Sequence, residues 1–380
     1  MGELSSGYVK AGFEPVREAF EANFADGNEL GAGFAAFEDG EIIVNLVGGY
    51  RDRRKQHAWT DETLVPVFST TKGISALVLA HVISGLPDIT YDTLVTDFWP
   101  EFGAHGKGEL TIAQLASHQS GLSGFKDEID PDLWFDQTAL AAKLADTPPL
   151  WSPVPDGTSG YHPLTWGYLM QEVVTRLSGR SVGTILAEDF TGTGTDLAEI
   201  DFWLGTPDSE HDRCADMKRP TSLADLGEID DIRTAAFLTK WSSPVRGGAE
   251  WKRMEIPSAN GHGTALSTAR LYGIYAHGGK LGDEQLIDPE TFAALTCQRT
   301  LGPDRVLPFE IEFAAGVMRN NAGFYGPNTN SFGHSGWGGS AALADPDLGV
   351  SAAYVMNRQS NALQGDPRGQ KLFKALYSCL

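Results

Sequence analysis

At 380 residues the chain is more than twice the length of a typical domain, so it has ample material for one large composite fold or two parts. Its 50 acidic and 29 basic residues leave a formal charge of −21. That charge repels phosphate backbones and anionic head groups, which excludes nucleic acid and membrane surfaces as expected partners. A hydrophobic share of 41% with 21% charge belongs to a globular chain rather than a disordered or fibrous one. Cys214, Cys297 and Cys379 are odd in number and form no C-x-x-C pair, so reduced thiols are expected and no cysteine-rich zinc site is indicated. The first thirty residues hold no apolar run of signal-peptide length, and no stretch approaches the ~18 residues of a spanning helix; a cytoplasmic location is expected. Met1-Gly2 with Ser6 fits the N-myristoylation pattern, but no polybasic segment follows, and the match is read as chance.

In chain order, Val16, Ala19, Phe20 and Phe24 recur at helical spacing after Pro15, and Gly27 ends the pattern. Gly31 to Tyr50 reads as two apolar strands around Asp39-Gly40, a strong hairpin signal, so the sheet begins antiparallel. From Ile74 to Ile83 the sequence is apolar on nearly every face, which predicts a helix buried inside the molecule and ended by Gly85 and Pro87. From about Asp88 to Val245 the signals are helical, as at Ala139 to Leu144 and Trp166 to Leu177, with Pro- and Gly-rich loops between them. A helix at Thr268 to His277 and another after Pro289 precede strand-like runs at Ile311 to Met318, Ala341 to Ala344 and Val350 to Met356. Strand-forming sequence at both ends and helical sequence between them predict an α+β fold: an antiparallel sheet flanked by helices, with an inserted all-helical region. Residues 1–87 and 246–380 are assigned to the sheet part and 88–245 to the helical insertion. No internal repeat is present.

Several motifs dissolve in context. Gly31 to Ala36 fits G-x-G-x-x-A, but a helix precedes it and a strand follows, the reverse of a dinucleotide-binding turn. Gly179 to Gly183 fits G-x-S-x-G, yet a helix rather than a strand runs into Ser181, which reads instead as the next helix N-cap. S-x-x-K is weak by itself: 24 Ser and 12 Lys in 380 residues give roughly 0.8 chance matches, against Ser69-Lys72 and Ser123-Lys126. The second lies in a glycine-rich loop with nothing to hold its lysine. The first opens the buried helix, where residues three apart share a face and the Lys72 amine comes beside the Ser69 hydroxyl. A buried amine at a helix start has its cation disfavoured, so Lys72 is a candidate base for a Ser69 nucleophile. The helix N-terminus supplies the Ser69 amide as one oxyanion donor.

With FSTTKG around Ser69, LTIAQLASHQSGL (110–122), DGTSGYHPLTWGYLMQEVV (156–174), the helix segment from Ser258 to Gly279 and the hairpin segment from Phe332 to Asn357, the chain resembles the serine β-lactamase and penicillin-binding superfamily. Within it, the resemblance is to the carboxylesterases related to class C β-lactamases, the family VIII esterases. The resemblance implies Ser69 as nucleophile and Lys72 as its lysine. It also implies Tyr161 as a tyrosine whose phenolate, kept ionised by nearby cations, shares the acid and base roles. By the same resemblance His334, Ser335, Gly336 and Trp337 form the substrate-binding strand, with the Trp337 amide as second oxyanion donor. Two departures favour the esterase branch: Pro163 stands where the family often has an asparagine that holds acylamino groups, and His334 stands where the lactamases have lysine. The expected function is hydrolysis of small carboxylic esters through a Ser69 acyl-enzyme, with no metal or organic cofactor. Penicillin-binding, β-lactamase, D-amino-acid peptidase and transacylase activities are the alternatives on the same residues, and a non-catalytic sensor or scaffold is the alternative of another class.

Overall fold

The computed structural model describes residues 5–153, 158–192, 200–300 and 302–380. A strand β1 (Ser5–Val9) that the sequence pattern did not suggest precedes helix α1 (Glu14–Ala25) and the hairpin strands β2 (Gly31–Glu38) and β3 (Glu41–Gly49). The hairpin turns on Asp39 and Gly40 with φ of +50° and +83°, the paired left-handed geometry that an Asp-Gly turn favours. Strands β4 (Val65–Pro66), β5 (Phe202–Trp203) and β6 (His262–Gly263) make a small sheet of their own. Strands β7 (Lys280–Leu281) and β8 (Glu284–Gln285) pair as a short ribbon. Strands β9 (Met318–Arg319), β10 (Phe332–Ser335), β11 (Ala341–Asp345) and β12 (Val350–Met356) join the first three in a seven-stranded antiparallel sheet, ordered β1-β3-β2-β12-β11-β10-β9.

Both faces of this sheet are covered, and the side chains of β2 alternate between them. Ala35 and Phe37 face the core that contains helices α2 (Thr71–Ser84) and α9 (Ala265–Ala276), whereas Ala32, Phe34 and Ala36 face α1 and the C-terminal helix α11 (Pro367–Tyr377). Helix α2 is buried along almost its whole length, from Thr71 to Ile83 except His81, as its all-round apolar sequence predicts. The segment between β4 and β6 holds helices α3 (Ile112–Ala116), α4 (Gln137–Ala145), α5 (Thr165–Ser178), α6 (Val182–Ile185), α7 (Asp231–Arg233) and α8 (Ala249–Arg253). Helix α10 (Pro289–Thr296) lies beyond α9.

The structure corrects two local expectations. Among the described residues the region from Asp88 to Val245 is not wholly helical: 200–207 and 214–230 hold no helix, and β5 pairs there with β6. The run from Ile311 to Met318 is not one strand, since Gly316 takes φ of +98° and turns the chain back, leaving Met318–Arg319 alone to pair with β10. A Cβ at Gly316 would lie 2.7 Å from the Trp166 ring, so close packing rather than strand propensity sets that turn.

Candidate active site

Helix α2 is entered through one 3₁₀ turn, Phe68–Thr70. Phe68 has φ of +47°, a left-handed conformation that costs a non-glycine residue about 1–3 kcal/mol and persists only where neighbours hold it. They do so here. Ser340 Oγ donates to the Val67 carbonyl at 2.7 Å, Thr70 Oγ1 to the His334 carbonyl at 3.3 Å and Tyr272 Oη to the Thr70 carbonyl at 2.8 Å. This bracing leaves Ser69 part-exposed at the mouth of a pocket while Lys72, one turn on, is fully buried.

The Lys72 amine lies 3.3 Å from Ser69 Oγ, 2.9 Å from Tyr161 Oη, 2.8 Å from the Pro163 carbonyl and 3.1 Å from the Ser258 carbonyl. A neutral amine has two N–H donors and one lone pair. The two carbonyls can only accept, so they take both donors and the lone pair is left for a hydroxyl. Burial pushes the Lys72 amine well below its ordinary range, which favours that neutral form. Around it, burial holds His162 and His334 near 3 and His118 well below its usual value, so none of these imidazoles is a cation at neutral pH.

At Tyr161 burial works against the ionised phenolate that the resemblance implies. Its phenol is buried and, for that reason above all, is pushed upward even though it hydrogen-bonds Ser69. Burial lowers the Lys72 amine and raises the Tyr161 phenol, so it favours a protonated phenol beside a neutral amine. Its position is fixed from three sides. The backbone N–H donates to Asp304 Oδ1 at 3.0 Å, the ring stacks on Phe313 with centroids 6.1 Å apart, and the His118 ring lies 4.9 Å away. Asp304, buried and raised by that burial, also accepts from Ser159 Oγ and from the Val306 and Leu307 amides. The His162 amide donates to His118 Nδ1 at 3.1 Å, and the Leu122 amide donates to His162 Nε2 at 3.1 Å. Through these bonds the segment around His118 carries the tyrosine loop.

Among the four residues expected on the substrate-binding strand, Ser335 and Trp337 line the pocket. His334 does not: its ring is fully buried, with Nδ1 2.9 Å from the Ser335 carbonyl, in a strand flanked on both sides by β9 and β11. Gly336 acts by having no side chain, since a Cβ there would fall 2.3 Å from the Val67 carbonyl and separate the strand from the Ser69 turn. Among the described residues the Ser69 and Trp337 amides donate no hydrogen bond. The pocket itself holds about 140 Å³ and is mainly apolar, with Phe68, Leu226, Phe237, Trp251 and Leu307 in its wall.

The other serine motifs stay outside it. Ser181 Oγ caps α6 by accepting from the Thr184 amide, and Lys126 is an exposed partner of Asp231. Asp304 and the carbonyls of Pro163 and Ser258 were not singled out from the sequence. A backbone carbonyl leaves no mark in residue identity, and a lone aspartate in a Pro/Gly-rich loop carries no spacing signal.

The two-faced antiparallel sheet, with a serine and lysine one helical turn apart and a tyrosine brought to both, defines the β-lactamase and penicillin-binding-protein-like class. The chain belongs to the Beta-lactamase family, whose model matches residues 16–376. It is 32% identical over 370 residues to the esterase/beta-lactamase LipL of Mycobacterium tuberculosis, covering 91% of this chain and 81% of that one. Among solved structures it is similar to a penicillin-binding protein homolog from Caulobacter crescentus, with 51% identity, TM-score 0.94 and coverage of 99% and 100% of the two chains. It is also similar to a family VIII carboxylesterase, with 36% identity, TM-score 0.90 and the same coverage. The protein is thus an enzyme of the β-lactamase and esterase family, a group of serine hydrolases.

Proposed function

We propose that the protein hydrolyses small carboxylic esters through an acyl-enzyme on Ser69, with Lys72 and Tyr161 moving the protons and the Ser69 and Trp337 amides holding the oxyanion. The observation that carries this reading is the Lys72 amine, 3.3 Å from Ser69 Oγ with both its donors engaged by carbonyls. Ser69 Oγ attacks the ester carbonyl as its proton passes to the amine, and the carbonyl electrons move onto oxygen between the two amides. When the intermediate collapses, the C–O bond to the alcohol breaks. The departing oxygen takes a proton from the Tyr161 phenol, which regains one from the Lys72 ammonium. Water then repeats the sequence on the acyl-enzyme, releasing the acid and restoring Ser69.

Esters are favoured over β-lactams because Pro163 presents no side-chain amide for an acylamino group and neutral His334 leaves its strand without a cation. The test combines fluorophosphonate labelling with kcat/KM for p-nitrophenyl butyrate and nitrocefin. Labelling at Ser69, its loss in Ser69→Ala, and an ester preference of at least about two orders of magnitude, the effect of losing two such contacts, are expected. Labelling that persists in Ser69→Ala overturns the assignment, and equal or greater efficiency on nitrocefin replaces the esterase reading with the lactamase one.

A further inference from the structure

Beside the small pocket at Ser69 lies a larger cavity of about 960 Å³. The two share Phe68, Leu223, Arg246, Trp251 and Trp337 as walls, so they meet at the residues flanking the nucleophile. Arg246 is the one charged side chain among those lining the small pocket. In the larger cavity Arg53, Arg219, Arg246 and Lys252 face a single carboxylate, Asp216. This is the reverse of the chain as a whole, where acids outnumber bases 50 to 29. Among the described residues none of the four cations belongs to an ion pair, although carboxylates pair with arginines elsewhere, as Asp189 does with Arg180 and Asp201 with Arg213.

Two of the four have other work. Arg53 donates to the Met217 carbonyl, and Lys252 reaches the His211 carbonyl at 3.5 Å. Arg219 and Arg246 make no hydrogen bond among the described residues. Arg246 is half-buried, and burial together with the charge of Arg219 pushes it down to about 10, still a cation at neutral pH. A half-buried guanidinium beside a second cation, with no anion supplied by the protein, is costly until an anion joins it. A guanidinium is also a planar fork that matches a carboxylate bidentately.

Resting on the esterase reading above, we infer that this cavity takes a carboxylate carried by the substrate, with Arg246 as its principal partner and Arg219 as the second. The substrate class is then an ester that bears one free carboxylate, on either its acid or its alcohol part. The overall charge of −21 disfavours anions at long range, but it is screened beyond about 8–10 Å at ordinary ionic strength, and local cations decide at the site.

The test uses two matched pairs. Mono-p-nitrophenyl adipate against its methyl ester puts the carboxylate on the acyl side, and 4-acetoxybenzoate against methyl 4-acetoxybenzoate puts it on the leaving group. Loss of one charge-assisted contact predicts that Arg246→Met lowers the charged-to-neutral ratio of kcat/KM by about tenfold to a hundredfold in one of the pairs. Arg246→Lys should recover part of that ratio, and added salt should reduce it in the wild type. The affected pair identifies the side that carries the carboxylate. A ratio unchanged by Arg246→Met in both pairs overturns the inference. Calorimetry of monomethyl adipate with the Ser69→Ala protein separates the two readings, because it needs no turnover. Salt-sensitive binding that Arg246→Met abolishes supports the carboxylate site even if no ester is hydrolysed, and no binding up to about 10 mM counts against the site alone.

Discussion

A lysine with no exposed surface is an expensive residue, and the contacts of Lys72 show what the expense provides. Burial lowers the amine's proton affinity in the native state, so between the depressed folded value and the ordinary 10.5 the unfolded chain binds more protons than the native one. Native stability therefore falls as pH drops below about 10.5, by up to about 1.4 kcal/mol per pH unit. Lys72→Met should be inactive yet gain stability relative to the wild type as pH is lowered from 10.5 toward neutral, which paired denaturant titrations across that range would measure. Parallel curves would mean that Lys72 is charged in the fold. At Tyr161, replacement by Phe removes the hydroxyl 2.9 Å from the amine and should lower kcat by roughly two to four orders of magnitude, the usual span for a proton-transfer group. A loss below tenfold would remove Tyr161 from the proton path.

Helix α2 can carry the nucleophile because its first turns fit closely against α9. A Cβ added at Gly73 would lie 2.2 Å from Tyr272 Oη, the same hydroxyl that donates to the Thr70 carbonyl. Gly73→Ala should cost about 1–3 kcal/mol through overpacking, and in a Tyr272→Phe background part of that cost should go with the nearest clashing atom, the ring Cζ at 2.7 Å remaining. Additive costs in that double-mutant cycle, read by thermal or chemical unfolding, would show that the contact does not set the packing. The tyrosine loop has an equivalent tether in Asp304. Asp304→Asn keeps the shape but turns one acceptor oxygen into an NH₂ facing the Ser159 hydroxyl and the Tyr161 amide, so kcat for ester hydrolysis should fall while KM changes little. A change confined to KM would mean that Asp304 shapes substrate binding rather than the placement of Tyr161.

Across the whole molecule, the chain's two ends are tied at one buried charge cluster. Arg368 bonds Glu29 Oε2 at 3.1 Å, Asp366 Oδ2 at 2.9 Å and the Gly338 carbonyl at 3.2 Å, linking the approach to β2, the start of α11 and the turn after Trp337. Arg368→Met leaves two buried carboxyl groups without their cation and should cost about 3–5 kcal/mol. Burial raises Glu29 to about 7 in the native protein, so it holds a proton that the unfolded chain has already released above about 4.5. Its contribution to stability is therefore present at low pH and lost as pH rises through 7. The penalty of Arg368→Met should accordingly be largest above pH 7 and smaller toward pH 4.5, as melting temperatures at both ends of that window would test; an equal penalty at both would show that Glu29 does not titrate with folding.

What the sequence determined by itself is what local periodicity encodes. Spacing of three at the start of an all-round apolar helix brought Ser69 and Lys72 together, and an Asp-Gly pair between apolar runs set the hairpin of β2 and β3. Only the tertiary structure decided the ionisation states and the walls of the site. The carbonyls that fix the Lys72 amine come from positions 91 and 186 residues further along the chain. The same holds for Asp304 under the tyrosine loop and for Arg246 at the junction of the two cavities. Charge state depends on desolvation by the whole core, and no pattern along the chain records which distant segments will exclude the water.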